Sequence, residues 1–249
     1  MKYLINYTLH LADNALIIGH RNSEWCGHGP VLEQDIAISN IALDCIGQAR
    51  NFYQYAAQLS GNDTTEDSLS YLRDAVDFKN CLLVELPKGD WALTTLRQFF
   101  FSVYQYFLYQ QLQNSSNKQL AAIAEKALKE VTYHVRWSSE WVIRLGDGTE
   151  ESKQRMLDAI NELWSYTGEL FLVAGYELEA VSEGYGVDLS SIKNKWNGKI
   201  LSVFEEATLS IPENVSMHSG GKEGKHSEYL DQILAEMQVL QRTYPGAEW

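Results

Sequence analysis

The sequence has few prolines and few cysteines, and both shortages constrain the fold. Only four prolines occur among 249 residues, at positions 30, 87, 212 and 245. Long intervals are therefore free of the residue that most often ends a helix. The three cysteines are odd in number and form no C-x-x-C pair; they are Cys26, Cys45 and Cys81. This pattern argues against a disulfide framework and a thiolate zinc cage, and it favours a reducing cytoplasm.

Basic residues and long apolar runs are also scarce. Twenty Lys and Arg against 33 Asp and Glu give a formal net charge of −13. Because binding to nucleic acid or anionic lipid requires clustered Lys and Arg, this balance argues against both partners. Polar residues such as Asn6, His10 and Asp13 interrupt the apolar positions near the amino terminus. We therefore expect no signal peptide and no membrane span, but a soluble cytoplasmic protein.

Helical periodicity is what the sequence does have. From Tyr3 to Trp25 the apolar residues step by three or four, the period of an amphipathic helix with one buried face. The same reasoning predicts a second helix from about Val31 to Leu59, with a buried stripe formed by Leu32, Ile36, Leu43, Ile46 and Tyr53.

The rest of the chain repeats this pattern. Residues 66–89 predict a short helix and an irregular connection, and further helices are predicted near residues 95–112, 119–145, 151–182, 189–209 and 226–243. No stretch alternates with the period of a strand, and no internal repeat occurs. Long helices joined by short turns predict an all-α bundle of about four helices, with additional helices at the C-terminal end.

Residues 95–112 are unusually aromatic. Aromatic side chains stand at positions 99, 100, 101, 104, 106, 107 and 109, which is more than one stripe of a helix can hold. The pattern predicts burial on more than one side, either in the middle of the bundle or under a partner chain.

The stretch "SEWCGHGPVLEQD" raises the question of a metal site, because it gathers Glu24, Cys26, His28, Glu33 and Asp35 around two glycines and a proline. A closed zinc site needs four ligands at matched distances, and Cys26 and His28 supply two. The alternative is an ordinary loop between two helices whose polar side chains make capping contacts.

Two other polar groupings have similar alternatives. No E-x-x-H motif occurs, and the nearest pair is Glu130 with His134, four residues apart, which would supply two of the six ligands of a di-iron site. The loop "SGGKEGKH" contains Lys222 and Lys225 and would suit an anion such as phosphate, but it lacks the P-loop spacing, which favours a mobile loop before a helix. No nucleophile motif is present.

Four longer strings together resemble one known family. They are "EWCGHGPVLEQDIAISNIALDCIGQARNF", "KEVTYHVRWSSEWVIRLGDGT", "SGGKEGKHSEYL" and "LAEMQVLQRTYPGAEW". From end to end, and in matching order, the chain resembles the PaaC family, one component of the bacterial phenylacetyl-CoA oxygenases, also called epoxidases. The patterns "LDxxGQARNF" and "LAEMQxLQR" are far more specific than a short catalytic motif.

The resemblance implies a fold and a partner. It implies one ferritin-like helical domain over residues 1–249, a four-helix bundle with additional C-terminal helices, that pairs with a homologous catalytic subunit. In that family the catalytic subunit holds a di-iron centre, which uses molecular oxygen to epoxidise the ring of phenylacetyl-CoA. A separate reductase delivers the electrons from NADPH.

The resemblance also implies what occupies the ligand positions of the catalytic relative. The two E-x-x-H motifs of that relative fall on Cys45 with Gln48 and on Val131 with His134, and its lone carboxylates fall near Leu16 and Ser102. Only His134 keeps the kind of side chain that the di-iron site uses at that position. The resemblance therefore implies a chain without a metal, a cofactor or a catalytic residue, because a di-iron site would lose its charge neutralisation and its bridging ligands.

At these vestigial positions we expect hydrogen bonds in place of metal. Asp44 and Gln48 are four residues apart on one predicted helix, and Glu130 and His134 are four apart on another. Each pair can present one polar face, and buried polar groups need partners. We predict a polar network of Asp44, Gln48, Glu130 and His134.

These observations favour a non-catalytic structural subunit of a multicomponent phenylacetyl-CoA oxygenase. Two alternatives stay open at this stage. One is a di-metal oxidase in its own right with unusual ligands, and the other is a homodimeric helical scaffold unrelated to oxygenation.

Overall fold

The structure is a computed structural model that describes residues 1–61 and 63–247. Within these residues every regular element is a helix, which confirms the all-α prediction. The α-helices are α1 (Lys2–Ser23), α2 (Leu32–Ser60), α3 (Glu66–Tyr71), α4 (Leu82–Glu85), α5 (Trp91–Leu112), α6 (Lys118–Gly146), α7 (Glu150–Leu163), α8 (Gly175–Ser182), α9 (Leu189–Glu206), α10 (Glu228–Met237) and α11 (Val239–Thr243). Short 3₁₀ turns lie at Ala75–Asp77, Trp164–Tyr166, Gly168–Phe171 and Gly221–Glu223.

The four longest helices form a bundle. α1 packs against α2, α5 packs against α6, and α2 also contacts α6. A long connection that contains α3 and α4 carries the chain from the first pair to the second. A bundle with one such crossover has the connectivity of ferritin-like folds, so the arrangement is consistent with that expectation. α7 and α9 pack against α5 and extend the bundle on one side.

Local signals in the sequence set several helix ends. The side chains of Asp90 and Asn117 accept backbone N–H groups in the first turns of α5 and α6. Thr149 forms a capping box with Ser152 at the start of α7. Each such cap contributes about 1 kcal/mol. α2 ends at Gly61, whose φ of 62° is strained for other residues.

α5 lies inside the fold, and this burial accounts for its many aromatic residues. Five of its aromatic residues are 2% exposed or less, and the other three, Trp91, Tyr106 and Phe107, are half-buried. The ring of Phe100 lies 5.7 Å from that of Trp164 and 5.8 Å from that of Trp196. The chain's own α6, α7 and α9 cover the helix, so of the two predicted explanations for the aromatic surplus, burial inside the fold accounts for most of it.

The predicted buried stripe of α2 is wrong for three of its five residues. Leu32, Ile36 and Leu43 are 72%, 52% and 68% exposed, while Tyr53 is buried and Ile46 is half-buried. The reason is that α2 has two apolar faces with the same periodicity, so the spacing of apolar residues does not show which face is buried. The face that packs into the bundle consists of Ile38, Ile41, Cys45, Ala49 and Phe52.

The helix predicted over residues 151–182 is also wrong, because α7 ends at Leu163 and α8 begins only at Gly175. The hydroxyl of Thr167 donates to the carbonyl of Trp164 at 2.8 Å and closes a 3₁₀ turn. At Gly168 a Cβ atom would lie 2.7 Å from Met217. The break therefore allows a close approach that a larger residue would block.

The helix predicted over residues 226–243 is likewise two helices, α10 and α11, which meet at Gln238. The Gln238 side chain is buried, and its Nε2 donates to the carbonyl of Arg73 at 2.9 Å. The other predicted helices are confirmed within a few residues of their ends. The segment predicted as a short helix with an irregular connection contains α3, one 3₁₀ turn and α4.

Candidate functional site

The structure brings the four polar residues of the predicted network together between α2 and α6. His134 Nε2 lies 3.0 Å from Asp44 Oδ2, and Gln48 Nε2 donates to Glu130 Oε2 at 2.9 Å. The bonds run across the two helices and not along each of them. Two side chains of α2 therefore tie two side chains of α6 at one level of the bundle.

The four side chains of the network differ in burial. His134 is 0% exposed and Gln48 is 2% exposed, whereas Asp44 and Glu130 are half-buried. The imidazole and the amide thus lie inside the bundle, and the carboxylates lie towards its surface. A hydrogen bond to a charged group contributes about 1.5–3 kcal/mol, and because the Asp44 side chain is 36% exposed, its bond to His134 belongs near the lower end.

Two buried atoms of this network have no protein partner. Within the described chain, neither Nδ1 of His134 nor Oε1 of Gln48 accepts or donates a hydrogen bond. The side chains of His134 and Gln48 therefore each keep one hydrogen-bonding atom without a partner among the described residues. Buried polar atoms of this kind usually bind an ordered water molecule or another polar group.

The remaining ligand-like positions carry side chains with little affinity for a hard metal. Leu16 and Val131 are 4% and 0% exposed. The hydroxyl of Ser102 donates to the carbonyl of Gln98 at 2.6 Å, inside its own helix. Burial raises the pKa of the Cys45 thiol, and the nearby carboxylates of Asp44 and Glu130 raise it further. A neutral thiol is a poor ligand, because the thiolate is the form that binds metals.

These side chains do not fit a carboxylate-bridged di-iron centre. Such a centre takes a carboxylate from each of two helices and an E-x-x-H pair from each of two others. Across residues 1–61 and 63–247, no group of three or more His, Cys, Asp or Glu side chains is arranged to hold a metal ion. The donor set at the centre of the bundle contains one imidazole, and its two carboxylates are engaged by His134 and Gln48.

The polar cluster before α2 is a loop with local contacts. His28 Nδ1 lies 3.0 Å from the carbonyl of Cys26, whose own side chain is exposed. Glu24 pairs with Arg21 at 2.7 Å. Asp35 accepts the N–H of Gly29 at 2.9 Å, and hydrogen bonds from the Gly29 and Gly27 amides lower its pKa. Of the two interpretations of this stretch, these contacts favour the loop over the zinc site.

The loop before α10 is anchored to the bundle by its own ion pair. Lys222 is 4% exposed, and its Nζ lies 3.1 Å from Glu177. The carboxylate of Glu169 accepts the N–H of Gly220 at 2.7 Å. Of the two lysines that the alternative of an anion site would use, only Lys225 is exposed. The anion that this loop binds is a carboxylate of the chain itself.

A second set of buried carboxylates was missed by the sequence reasoning. Asp13 is 0% exposed; it accepts hydrogen bonds from the Tyr53 hydroxyl at 2.5 Å and the Lys79 N–H at 2.8 Å, and it pairs with Arg73. Burial and the Asp13 charge raise the pKa of Tyr53 well above its usual value. The sequence shows Asp13 as a polar residue that interrupts an apolar stretch. It does not show the role of this carboxylate, because its partners are 40 to 66 residues away.

Glu85 forms the other unpredicted centre. It is 0% exposed and accepts the N–H of Ser227 at 2.7 Å, while its Oε2 lies 2.9 Å from His226 Nδ1. Burial alone lowers the pKa of His226, but the hydrogen bond to Glu85 and its charge raise it above the usual value. Asp13, Glu85 and Glu169 together attach the long crossover to α1 and to the C-terminal helices.

No helix in the described residues is long and apolar enough to cross a membrane. The fold and the site together define an all-α bundle with one crossover, whose described interior carries hydrogen-bonded polar side chains and no set of metal ligands.

The chain belongs to the family described as phenylacetic acid catabolic protein, which matches residues 1–249. A curated relative from Escherichia coli (strain K12), the C component of 1,2-phenylacetyl-CoA epoxidase, is 46% identical to it over 249 residues, covering 100% of both chains. The resemblance predicted from the sequence strings is therefore confirmed over the whole chain.

Proposed function

We propose that this chain is a non-catalytic structural subunit of a multicomponent oxygenase that epoxidises the ring of phenylacetyl-CoA in aerobic phenylacetate catabolism. Its relative in Escherichia coli is named as one component of such an epoxidase. The chain supports a homologous subunit that holds the di-iron centre. Its three cysteines are free, in keeping with a reducing cytoplasm as the site of action.

One observation carries the non-catalytic part of the proposal. At the centre of the bundle the ligand-like positions hold an aliphatic side chain at Leu16 and at Val131, a thiol at Cys45 and a hydroxyl at Ser102, all buried. None of these replaces a bridging carboxylate. Iron that binds there would lack both its bridges and the negative charge that offsets it.

The polar network has a structural role in this proposal. The two bonds that join α2 and α6 fix the relative position of these helices along the bundle axis. A bundle without a metal has no ion to hold its helices in register. The hydrogen bonds to the carboxylates take that role and give the partner subunit a rigid surface to pack on.

The test uses the assembled complex. The chain is produced together with a homologous subunit that contains both E-x-x-H motifs, the complex is loaded with ferrous ion under anaerobic conditions, and the metal content of each separated protein is measured. Oxidation of phenylacetyl-CoA is then followed with reductase, NADPH and oxygen. We expect iron only in the partner, and turnover only when both subunits are present.

A pair of matched variants separates structural from catalytic roles. His134→Gln keeps a side-chain N–H for Asp44, so the assembled complex is expected to retain its turnover. Replacing a histidine of an E-x-x-H motif in the partner is expected to abolish it. Two irons in this chain, or loss of turnover in a folded and assembled His134→Gln complex, would instead favour a di-metal oxidase in its own right.

A further inference from the structure

We propose that the outer face of α2, defined as Leu32, Ile36, Leu43 and Gly47, is the docking surface for a homologous helical subunit that carries basic residues beside an apolar helix stripe. This inference rests on the proposed function and assigns the surface through which the chain would meet its partner. The four residues lie within about 60° of one another around the helix at 3.6 residues per turn.

The outer face of α2 has the sequence pattern of a buried face but is exposed in the structure. The spacing of Leu32, Ile36 and Leu43 is that of a buried helix face, yet these side chains are 52% to 72% exposed. α2 already buries a separate apolar face in the bundle. A helix that is apolar on two sides has a second surface to cover. Within residues 1–61 and 63–247, the chain covers one of these two faces and leaves the other exposed.

Gly47 on the same face also indicates a partner. It lies in the middle of a 29-residue helix, where glycine costs about 1 kcal/mol relative to alanine. Among the described residues nothing lies within 4 Å of the place where its Cβ would be. The fold of this chain therefore gives no steric reason for a glycine. A second backbone that approaches closely from outside would give one.

The acidic residues around the outer face of α2 favour a partner with basic residues. From Leu32 to Gly47, α2 carries three carboxylates, at Glu33, Asp35 and Asp44, and no basic residue. A second copy of the chain would bring acidic residues against acidic residues and would add a second net charge of −13. A partner with basic residues around its apolar stripe is complementary to this face.

An exposed aromatic residue of α6 lies next to the polar network in the sequence. Tyr133 is 40% exposed, and its ring lies 6.4 Å from that of His134, which contacts Asp44 next to Leu43. The stretch from Leu32 to Gly47 is about 24 Å long at 1.5 Å per residue. The exposed Leu32, Ile36 and Leu43 of this stretch supply the apolar centre that stable interfaces have.

The test compares two leucines of equal exposure on different surfaces. Leu43 on α2 is 68% exposed and Leu178 on α8 is 66% exposed. The full-length chain, as wild type, Leu43→Glu or Leu178→Glu, is mixed with the homologous subunit and the dissociation constant is measured. We expect Leu43→Glu to weaken binding at least about tenfold, as for a central interface residue, and Leu178→Glu to bind like the wild type.

Each outcome decides something different. Equal binding by all three proteins overturns the docking surface but leaves the proposed function standing. No binding even by the wild type overturns both. If the wild type alone dimerises in sedimentation experiments and Leu43→Glu does not, the face belongs to a second copy of the chain, and the proposed occupant is wrong.

Gly47→Ala gives a second and independent readout. In the isolated chain this change is expected to raise the melting temperature, because alanine favours the helix and has open space around it. In the complex it is expected to weaken binding, because the added methyl group separates the two helices. A variant that is more stable alone and binds equally well would contradict the close approach.

Discussion

Replacing Val131 by glutamate restores one carboxylate to the centre of the bundle, and we expect it to destabilise the chain. Val131 is 0% exposed, and full burial of such a side chain contributes about 1.5–3 kcal/mol. A buried carboxyl group without a partner costs about 1–3 kcal/mol more. Since part of the glutamate stem still packs, the expected loss in free energy of unfolding is about 3 kcal/mol, a large share of the usual range of roughly 5–15 kcal/mol.

The loss should depend on pH in a defined direction. Burial raises the pKa of an introduced carboxyl group above its unfolded value of about 4.3. The folded state then holds its proton more tightly than the unfolded state, so the variant loses further stability as pH rises from about 4.3 to the raised folded value. Denaturant unfolding of the wild type and the variant at several pH values measures the difference.

Two comparisons make the result interpretable. Thr132→Glu places the same charge on the exposed neighbouring position and is expected to stay within about 0.5 kcal/mol of the wild type. Ferrous ion under anaerobic conditions should not restore the stability of Val131→Glu, because the other ligands are still missing. A clear rise of its melting temperature with iron, or a loss no larger than that of Thr132→Glu, would refute this reasoning.

Two further predictions concern the buried carboxylates of the crossover. Asp13→Asn leaves Arg73, whose side chain is 12% exposed, without its counter-charge and should cost about 3–5 kcal/mol of unfolding free energy. The control Asp74→Asn removes the exposed partner of Arg242 and should cost about 0.5 kcal/mol or less. Equal losses in denaturant unfolding would contradict the assignment. The raised pKa of His226 contributes stability that is fully present below the unfolded value of about 6.5 and is lost as pH rises through the folded value. His226→Gln should therefore lose more stability relative to the wild type at about pH 6 than at about pH 9, and a difference independent of pH would show that the pair with Glu85 is not charged.

Most of the fold follows from periodicity, but two classes of feature do not. The positions of the four bundle helices were predictable, because the apolar residues of α1, α2 and α6 recur every three or four positions and α5 is a long aromatic stretch without proline. The division at Gln238 was not, because its cause is a hydrogen bond to the carbonyl of Arg73, 165 residues away. The orientation of α2 was not predictable either, since a helix with two apolar faces has two periodic stripes.

The candidate site was predictable to a similar degree. Spacing alone brought Asp44 to the same face as Gln48, and Glu130 to the same face as His134. It could not reveal that the bonds cross between helices, because that depends on the register of α2 against α6. The Asp13 and Glu85 centres had no local signal, since each joins segments that are far apart in the sequence.

The buried pair of Glu85 and His226 has a consequence for biosynthesis. The two residues are 141 positions apart, and Glu169 is 87 positions from the Leu82 amide whose hydrogen bond it accepts. A ribosome therefore releases α1, the crossover and the bundle helices before Glu169 and His226, which complete the attachment of the crossover, have been made. Contacts of such sequence separation close late. The nascent chain therefore carries a crossover that is attached through Asp13 but lacks its C-terminal contacts until residues near 226 emerge, and chaperones have that interval in which to act.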